Sequence, residues 1–269
     1  MVDEITGKGQ LDQKAESILE KSMAPAARIQ NEVAWRYLSI HLRELTRQKE
    51  KILDVLDVGC WLAEVSLRLA SEGHRVTLLE PSSCLLQSVH EQAEREMPQV
   101  CNSISYLNKR IEDLEECQVD DFDLVICHET IEYVDDPLRA LQIITRVLRP
   151  RGLLSLVFLN RYGEVIYQLM EKRDIQAAVE SFDKERFKTD LHKGWGHLYS
   201  CEELCRLLDP LGYTIEGEYG LRIFSEYIDR SLLEQEETFK KVADLEERAG
   251  QEANFRGIGR FVQVIARKD

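Results

Sequence analysis

The residues with the greatest chemical potential sit at a turn. The run Lys51-Ile-Leu-Asp-Val-Leu-Asp-Val-Gly-Cys-Trp-Leu-Ala-Glu-Val-Ser-Leu-Arg-Leu-Ala70 reads as a buried strand that passes through Asp57, turns at Gly59 and enters a helix. A glycine turn of this kind leaves unpaired backbone N–H groups at the strand's carboxyl end, where a doubly wound sheet binds nucleotide-like ligands. Three small residues normally divide the work there: one makes the turn, one admits the ligand to the backbone, and one lets helix and strand approach closely. Gly59 fills the first place, Trp61 the second and Ala63 the third. Alanine is a mild replacement. An indole stands where a hydrogen is expected, and it bears the cost of any positive φ the loop demands. Downstream, Arg75-Val-Thr-Leu-Leu-Glu80 is a second apolar run that ends in an acid. A carboxylate at that point accepts both hydroxyls of an adenosyl ribose.

The elements that must position these groups follow from the hydrophobic pattern. Residues 12–50 carry a helical period through Val33, Tyr37, Ile40, His41 and Glu44. A strand at 52–57, a helix from Glu64 stopped by Gly73, and the strand ending at Glu80 have the spacing of a βαβ unit. Helix 82–96, strand 104–107, strand 123–127, helix 137–148 and strand 153–158 continue the alternation. The expected fold is α/β, a doubly wound, mostly parallel Rossmann-like sheet covered on both faces. Beyond Asn160 the alternation breaks. Arg161 to Phe187 reads as a charged helical insertion, Ser200–Leu208 as a helix with a capping box from Ser200 to Glu203, and 231–250 as an acidic helix. Strands from Gly212 and over 259–267 close the chain as a hairpin-like pair antiparallel to the sheet edge. One domain is expected over 1–269: a helical lead-in (1–50), a cofactor-binding core (51–160), a cap (161–199) and a C-terminal part (200–269).

Composition narrows the function. The chain has 269 residues, a formal charge of −14, 43% hydrophobic and 31% charged residues. No run approaches the ~18 apolar residues of a membrane helix. The N-terminus lacks a basic region followed by an apolar core, and the seven cysteines are unpaired in their spacing, so a cytoplasmic protein with reduced thiols is expected. Cys201 and Cys205 stand four apart without a second ligand pair, so no metal is expected. The acidic charge argues against DNA and against non-specific nucleic-acid binding over the whole surface, while leaving room for a local basic groove.

The run Phe122-Asp-Leu-Val-Ile-Cys-His-Glu-Thr-Ile-Glu-Tyr-Val-Asp-Asp-Pro-Leu and the turn Leu148-Arg149-Pro150-Arg151-Gly152 follow Gly59 and Glu80 in order. Together they resemble the motifs of class I S-adenosylmethionine-dependent methyltransferases. A nicotinamide-dependent dehydrogenase would share the first βαβ unit, but it explains neither this turn nor the late strands. A closer resemblance, carried by His128–Pro137, Leu153–Gly163, Gly220–Tyr227 and Gly259–Lys268, is to the bacterial tRNA 5-carboxymethoxyuridine methyltransferase family. That family transfers a methyl group from S-adenosylmethionine to the carboxylate of a modified wobble uridine. The resemblance places Asp57, Gly59 and Cys60 on the cofactor turn, Glu80 on the ribose, Ile111 and Glu112 beside the adenine, and His128 after the fourth strand. It also implies an arginine five residues before a tryptophan in the N-terminal helix. Counting back from Trp35, that place holds Gln30, with Arg28 two residues earlier.

A carboxylate acceptor is already a nucleophile at neutral pH, so alignment and partial desolvation matter more than proton transfer. Its recognition needs cations, and Arg222 and Arg260, on the two late strands, are the candidates. Tyr133, Trp195 and Tyr199 are available to stack on a base. Three readings stay open on the sequence: a methyltransferase acting on tRNA, one acting on a small carboxylate, and a non-catalytic relative whose pocket Trp61 obstructs.

Overall fold

The computed structural model of the protein describes residues 23–47, 52–115, 121–189 and 194–269. The parts of the helical lead-in at 12–22 and 48–50 lie outside the described residues. Within them, the first half of the chain alternates helix and strand as α1 (Pro25–Arg47), β1 (Asp54–Val58), α2 (Glu64–Ser71), β2 (Arg75–Leu79), α3 (Ser83–Glu96), β3 (Ile104–Leu107), β4 (Phe122–His128), α4 (Pro137–Val147) and β5 (Leu148–Leu159). The second half supplies α5 (Arg161–Met170), α6 (Ile175–Asp183), β6 (Arg186–Lys188), β7 (Trp195–His197), α7 (Cys201–Leu208), β8 (Tyr213–Leu221), α8 (Glu236–Gln251) and β9 (Phe261–Lys268).

The main sheet has the order β3-β2-β1-β4-β5-β9-β8. Strands β1 to β5 pair in parallel, and β9 runs antiparallel to both β5 and β8. Successive side chains of a strand point to opposite faces, and the central strands bury both. Val55, Leu124 and Ile126 pack with Leu38 of α1, Leu69 of α2 and Val89 of α3. Leu56, Val125 and Leu154 pack with Ile144 of α4 and Leu204 of α7. This two-sided burial explains why β1 and β4 read as continuous apolar runs rather than alternating ones.

The two late strands pair antiparallel with each other, and β9, the one that reverses, joins the pair antiparallel to the β5 edge, with α8 between β8 and β9 in sequence. One expectation needs correction. The span 161–187 is not one helical stretch. It breaks at Arg173, which has φ +55°, and restarts where Asp174 caps α6 by accepting from the Ala177 N–H at 2.9 Å. It then enters the short antiparallel arm β6–β7. The capping box on α7 is present, with Ser200 and Glu203 bonded reciprocally.

Candidate active site

The turn after β1 has the conformation its sequence demands. Gly59 has φ +72°, and its N–H donates to the Leu79 carbonyl of β2 at 2.8 Å. A Cβ at this position would lie 2.2 Å from Thr130 Oγ1, so glycine is required for space as well as for φ. Trp61 (φ +46°) and Ala63 (φ +52°) occupy the same left-handed region, at a cost of roughly 1 kcal/mol each for a residue with a Cβ. Asp57 is buried and accepts from the Ser66 hydroxyl at 2.6 Å, which ties β1 to α2. Burial pushes its carboxyl up to about 7 despite that hydrogen bond. Cys60 is buried, and burial together with the nearby Glu80 and Asp57 carboxylates holds its thiol protonated.

Two neighbouring cavities open at the carboxyl ends of the strands, at the point where the strand order reverses. The narrower, with about 630 Å³ of space continuous with solvent, is lined by Gly59, Leu79, Glu80, Ile111, Glu112 and Thr130 among others. Its walls are largely apolar, with Glu80 buried at the end of β2, where its carboxylate accepts from the Ser82 N–H at 2.9 Å. A flat aromatic base and a ribose fit this combination of apolar walls and one fixed carboxylate. The wider cavity, about 1730 Å³, is lined by Asp57, Cys60, His128, Tyr167, Lys172, Arg222, Glu226 and Arg260. Gly59, Trp61, Glu129 and Tyr133 line both. Trp61 is thus a wall shared by the two spaces, its ring centroid 6.3 Å from that of Tyr133.

His128 ends β4 and is fixed from behind. The Gln263 amide donates to the Ala34 carbonyl at 3.2 Å and to Ser155 Oγ at 3.0 Å, and His128 Nε2 lies 2.8 Å from the same Oγ. Ser155 thus ties the imidazole of His128 to Gln263 on β9. Burial depresses the imidazole to about 3, so it is neutral at physiological pH. Gln30 lines neither cavity. It is buried behind the wall and donates to Glu129 Oε1 at 2.6 Å. Glu129, at φ +51°, has its carboxyl raised by burial against the opposing pull of Arg222 and Gln30.

The two candidate arginines are brought together. Arg222 follows β8 at φ +52°, Arg260 precedes β9, and the Arg260 N–H donates to the Arg222 carbonyl at 3.3 Å. Both guanidiniums pair with Glu226, Arg260 at 2.5 Å. Arg260 also lies 3.4 Å from Glu164 and 3.3 Å over the ring of Tyr167. Burial opposes its charge, and Glu226 and Glu164 outweigh burial, so its pKa rises overall. Nε of each arginine is buried and has no hydrogen-bond partner among the described residues. The loop that carries Arg222 is held by Glu246 of α8, which accepts from the N–H groups of Ile223, Phe224 and Ser225 at 2.8, 3.0 and 2.8 Å.

Other expectations resolve differently. Tyr199 is a core residue that meets Phe158 edge-on and stacks on His197, whereas Trp195 is half exposed on β7. Cys201 and Cys205 come within reach of Glu218, all within 4.8 Å of one another. These groups engage each other, the Cys205 thiol donating to Glu218 at 3.6 Å and Arg256 pairing with Glu218 at 3.0 Å. Sequence reading missed Glu129, Tyr167, Lys172 and Glu226. Glu129 and Glu226 lie within motifs that carry the resemblance, His128–Pro137 and Gly220–Tyr227, whereas Tyr167 and Lys172 lie in none.

Residues 56–156 match the family described as Methyltransferase domain. Over 238 residues the chain is 27% identical to the tRNA 5-carboxymethoxyuridine methyltransferase of Escherichia coli strain K12, covering 88% of this chain and 87% of that protein. Over 111 residues it is 33% identical to the ubiquinone biosynthesis O-methyltransferase of Actinobacillus pleuropneumoniae, covering 40% and 46% of the two chains. Among solved structures, a SAM-dependent methyltransferase from Thermotoga maritima superposes with a TM-score of 0.63 at 16% identity, covering 97% of this chain and 99% of that one. Magnesium protoporphyrin IX methyltransferase from Synechocystis with bound SAH gives 0.62 at 11% identity, covering 97% and 98%. The matched domain and the sheet order agree: residues 56–156 are a methyltransferase domain, and the chain has the Rossmann-like fold of class I methyltransferases.

Proposed function

We propose that this methyltransferase esterifies a carboxylate carried by a modified wobble uridine of tRNA. The observation that carries the reading is the half-buried pair Arg222 and Arg260, which Glu226 holds together on the wall of the wider cavity. Two guanidiniums in a partly desolvated wall suit an acceptor with a planar anionic group. The cofactor, held by Glu80, Ile111 and Glu112, supplies a methyl group on a positively charged sulfur.

What remains for the chain is to bind, align and exclude water. At a pKa of about 3, His128 is a poor proton acceptor and lines the site as a neutral imidazole. An acceptor that arrives deprotonated, as a carboxylate does, asks for no base. The similarity to the E. coli tRNA methyltransferase along most of both chains supports RNA as the carrier of that carboxylate.

The test is transfer of label from methyl-labelled S-adenosylmethionine to tRNA isolated from cells lacking the ester, read by nucleoside mass spectrometry. The expected product is one methyl group heavier and loses that methyl in mild alkali. Arg222→Ala and Arg260→Ala each raise the KM for tRNA by about tenfold or more, the worth of a hydrogen bond to a charged group. An alkali-stable label, or transfer to small carboxylates with none to tRNA, overturns the reading.

A further inference from the structure

The arm β6–β7 stands apart from the main sheet, and its two faces differ. On the inner face the Phe187 ring covers Gly196, where a Cβ would lie 2.4 Å from Phe187 Cε1. Phe187 meets Tyr133 edge-on with centroids 6.2 Å apart, and Tyr133 in turn faces Trp61. This aromatic line anchors the arm to the wall between the two cavities, and Thr189, just past β6, lines the wider one.

The outer face is of another kind. Arg186 pairs in register with His197, and Lys188 with Trp195, so period-two alternation puts Arg186, Trp195 and His197 on the face opposite Phe187. Trp195 is 50% exposed. Arg186 is exposed and has no ion pair among the described residues. In a chain of formal charge −14, an exposed indole and an exposed guanidinium on one face of an arm that reaches the acceptor cavity at Thr189 suit a ligand with both a flat π-face and negative charge. Unpaired nucleotides have both: the base stacks on an aromatic ring, and the phosphate takes the arginine.

We propose that Trp195 is a stacking platform for a nucleobase flanking the reacting nucleotide, with Arg186 on the adjoining phosphate. This rests on the RNA reading of the active site. A methyltransferase acting on a free carboxylate has no use for a platform outside its cavity.

The experiment measures methyl transfer to tRNA and SAH affinity for the wild type, Trp195→Ala, Trp195→Phe and Arg186→Ala. Trp195→Ala is expected to raise the KM for tRNA by about tenfold or more, the loss typical of one base–aromatic stack. Its kcat and SAH affinity should be unchanged, Trp195→Phe should recover most of the loss, and Arg186→Ala should reduce the salt dependence of binding. Efficient tRNA methylation by wild type with an unchanged KM in Trp195→Ala overturns the platform alone. A shift in the sedimentation of Trp195→Ala with unchanged KM assigns the indole to a contact between copies of the chain and overturns it as well. Absence of transfer to tRNA by wild type that binds SAH overturns the RNA reading and the platform with it.

Discussion

Gly59→Ala tests whether the cofactor turn is built as described. An alanine at φ +72° costs about 1–2 kcal/mol for its left-handed backbone. Its methyl would also lie 2.2 Å from Oγ1, 2.7 Å from Cγ2 and 3.0 Å from Cβ of Thr130. Forcing such overlap apart costs about a further 1–3 kcal/mol, for a total of roughly 2–5 kcal/mol. Thr130→Ala removes the two nearest atoms. Alone it loses the hydroxyl's hydrogen bond to the His128 carbonyl at 3.0 Å, worth about 1 kcal/mol. The double variant should therefore be more stable than the sum of the single effects by about 1–3 kcal/mol, the overlap being absent while the backbone cost persists. Urea denaturation of the four proteins gives the cycle, and calorimetry with SAH shows whether the turn still binds. Strict additivity, or a Gly59→Ala variant as stable as wild type, would refute the steric argument.

Three further outcomes are expected. Burial holds the Glu132 carboxyl at about 8 in the folded protein, well above its ordinary value. A carboxyl raised in this way favours folding while protonated, and its contribution fades as pH rises from the unfolded value through about 8. Asp57, at about 7, acts in the same direction. Glu132→Gln should flatten the fall of Tm above neutrality, and an unchanged pH profile would contradict this. Glu246→Ala removes the acceptor of three backbone N–H groups, two of them buried, at Ile223 and Ser225. It should cost about 3 kcal/mol or more and raise the KM for the acceptor, because Arg222 loses its place, with Glu246→Gln milder in both; a Glu246→Ala protein that unfolds at the wild-type urea concentration with an unchanged KM would count against this. Glu80→Ala should weaken SAH by about tenfold or more and, because the buried Ser82 N–H loses its acceptor, lower stability by about 1–3 kcal/mol; unchanged affinity would remove Glu80 from the ribose.

The parts of this account legible in the sequence are those encoded locally. Gly59 and Glu80 mark the ends of adjacent parallel strands, and the continuous apolar runs of β1 and β4 reflect burial on both faces. The acceptor side was harder to read. Arg222 and Arg260 were visible as cations near the late strands. Glu226, which joins them, and Tyr167, which Arg260 covers, lie on separate elements that only the insertion of β9 between β5 and β8 brings together. Three-residue strands such as β6 and β7 carry too little alternation to show against a charged background, so the start of β6 read as helix and β7 as no element. Tyr199 looked like a stacking residue because ring type alone does not reveal burial. Gln30 occupies a place where an arginine was implied, and here it supports Glu129 from behind the cavity wall.

The central claim is that the pocket takes its cofactor with the Trp61 indole as part of the wall. Titration of the native protein and Trp61→Gly with S-adenosylhomocysteine by calorimetry tests it most directly. Saturable one-site binding by the native protein, with Trp61→Gly within about tenfold of it, is the predicted result. No binding by the native protein together with binding by Trp61→Gly would contradict the account, because the ring would then close the pocket that it is held to line.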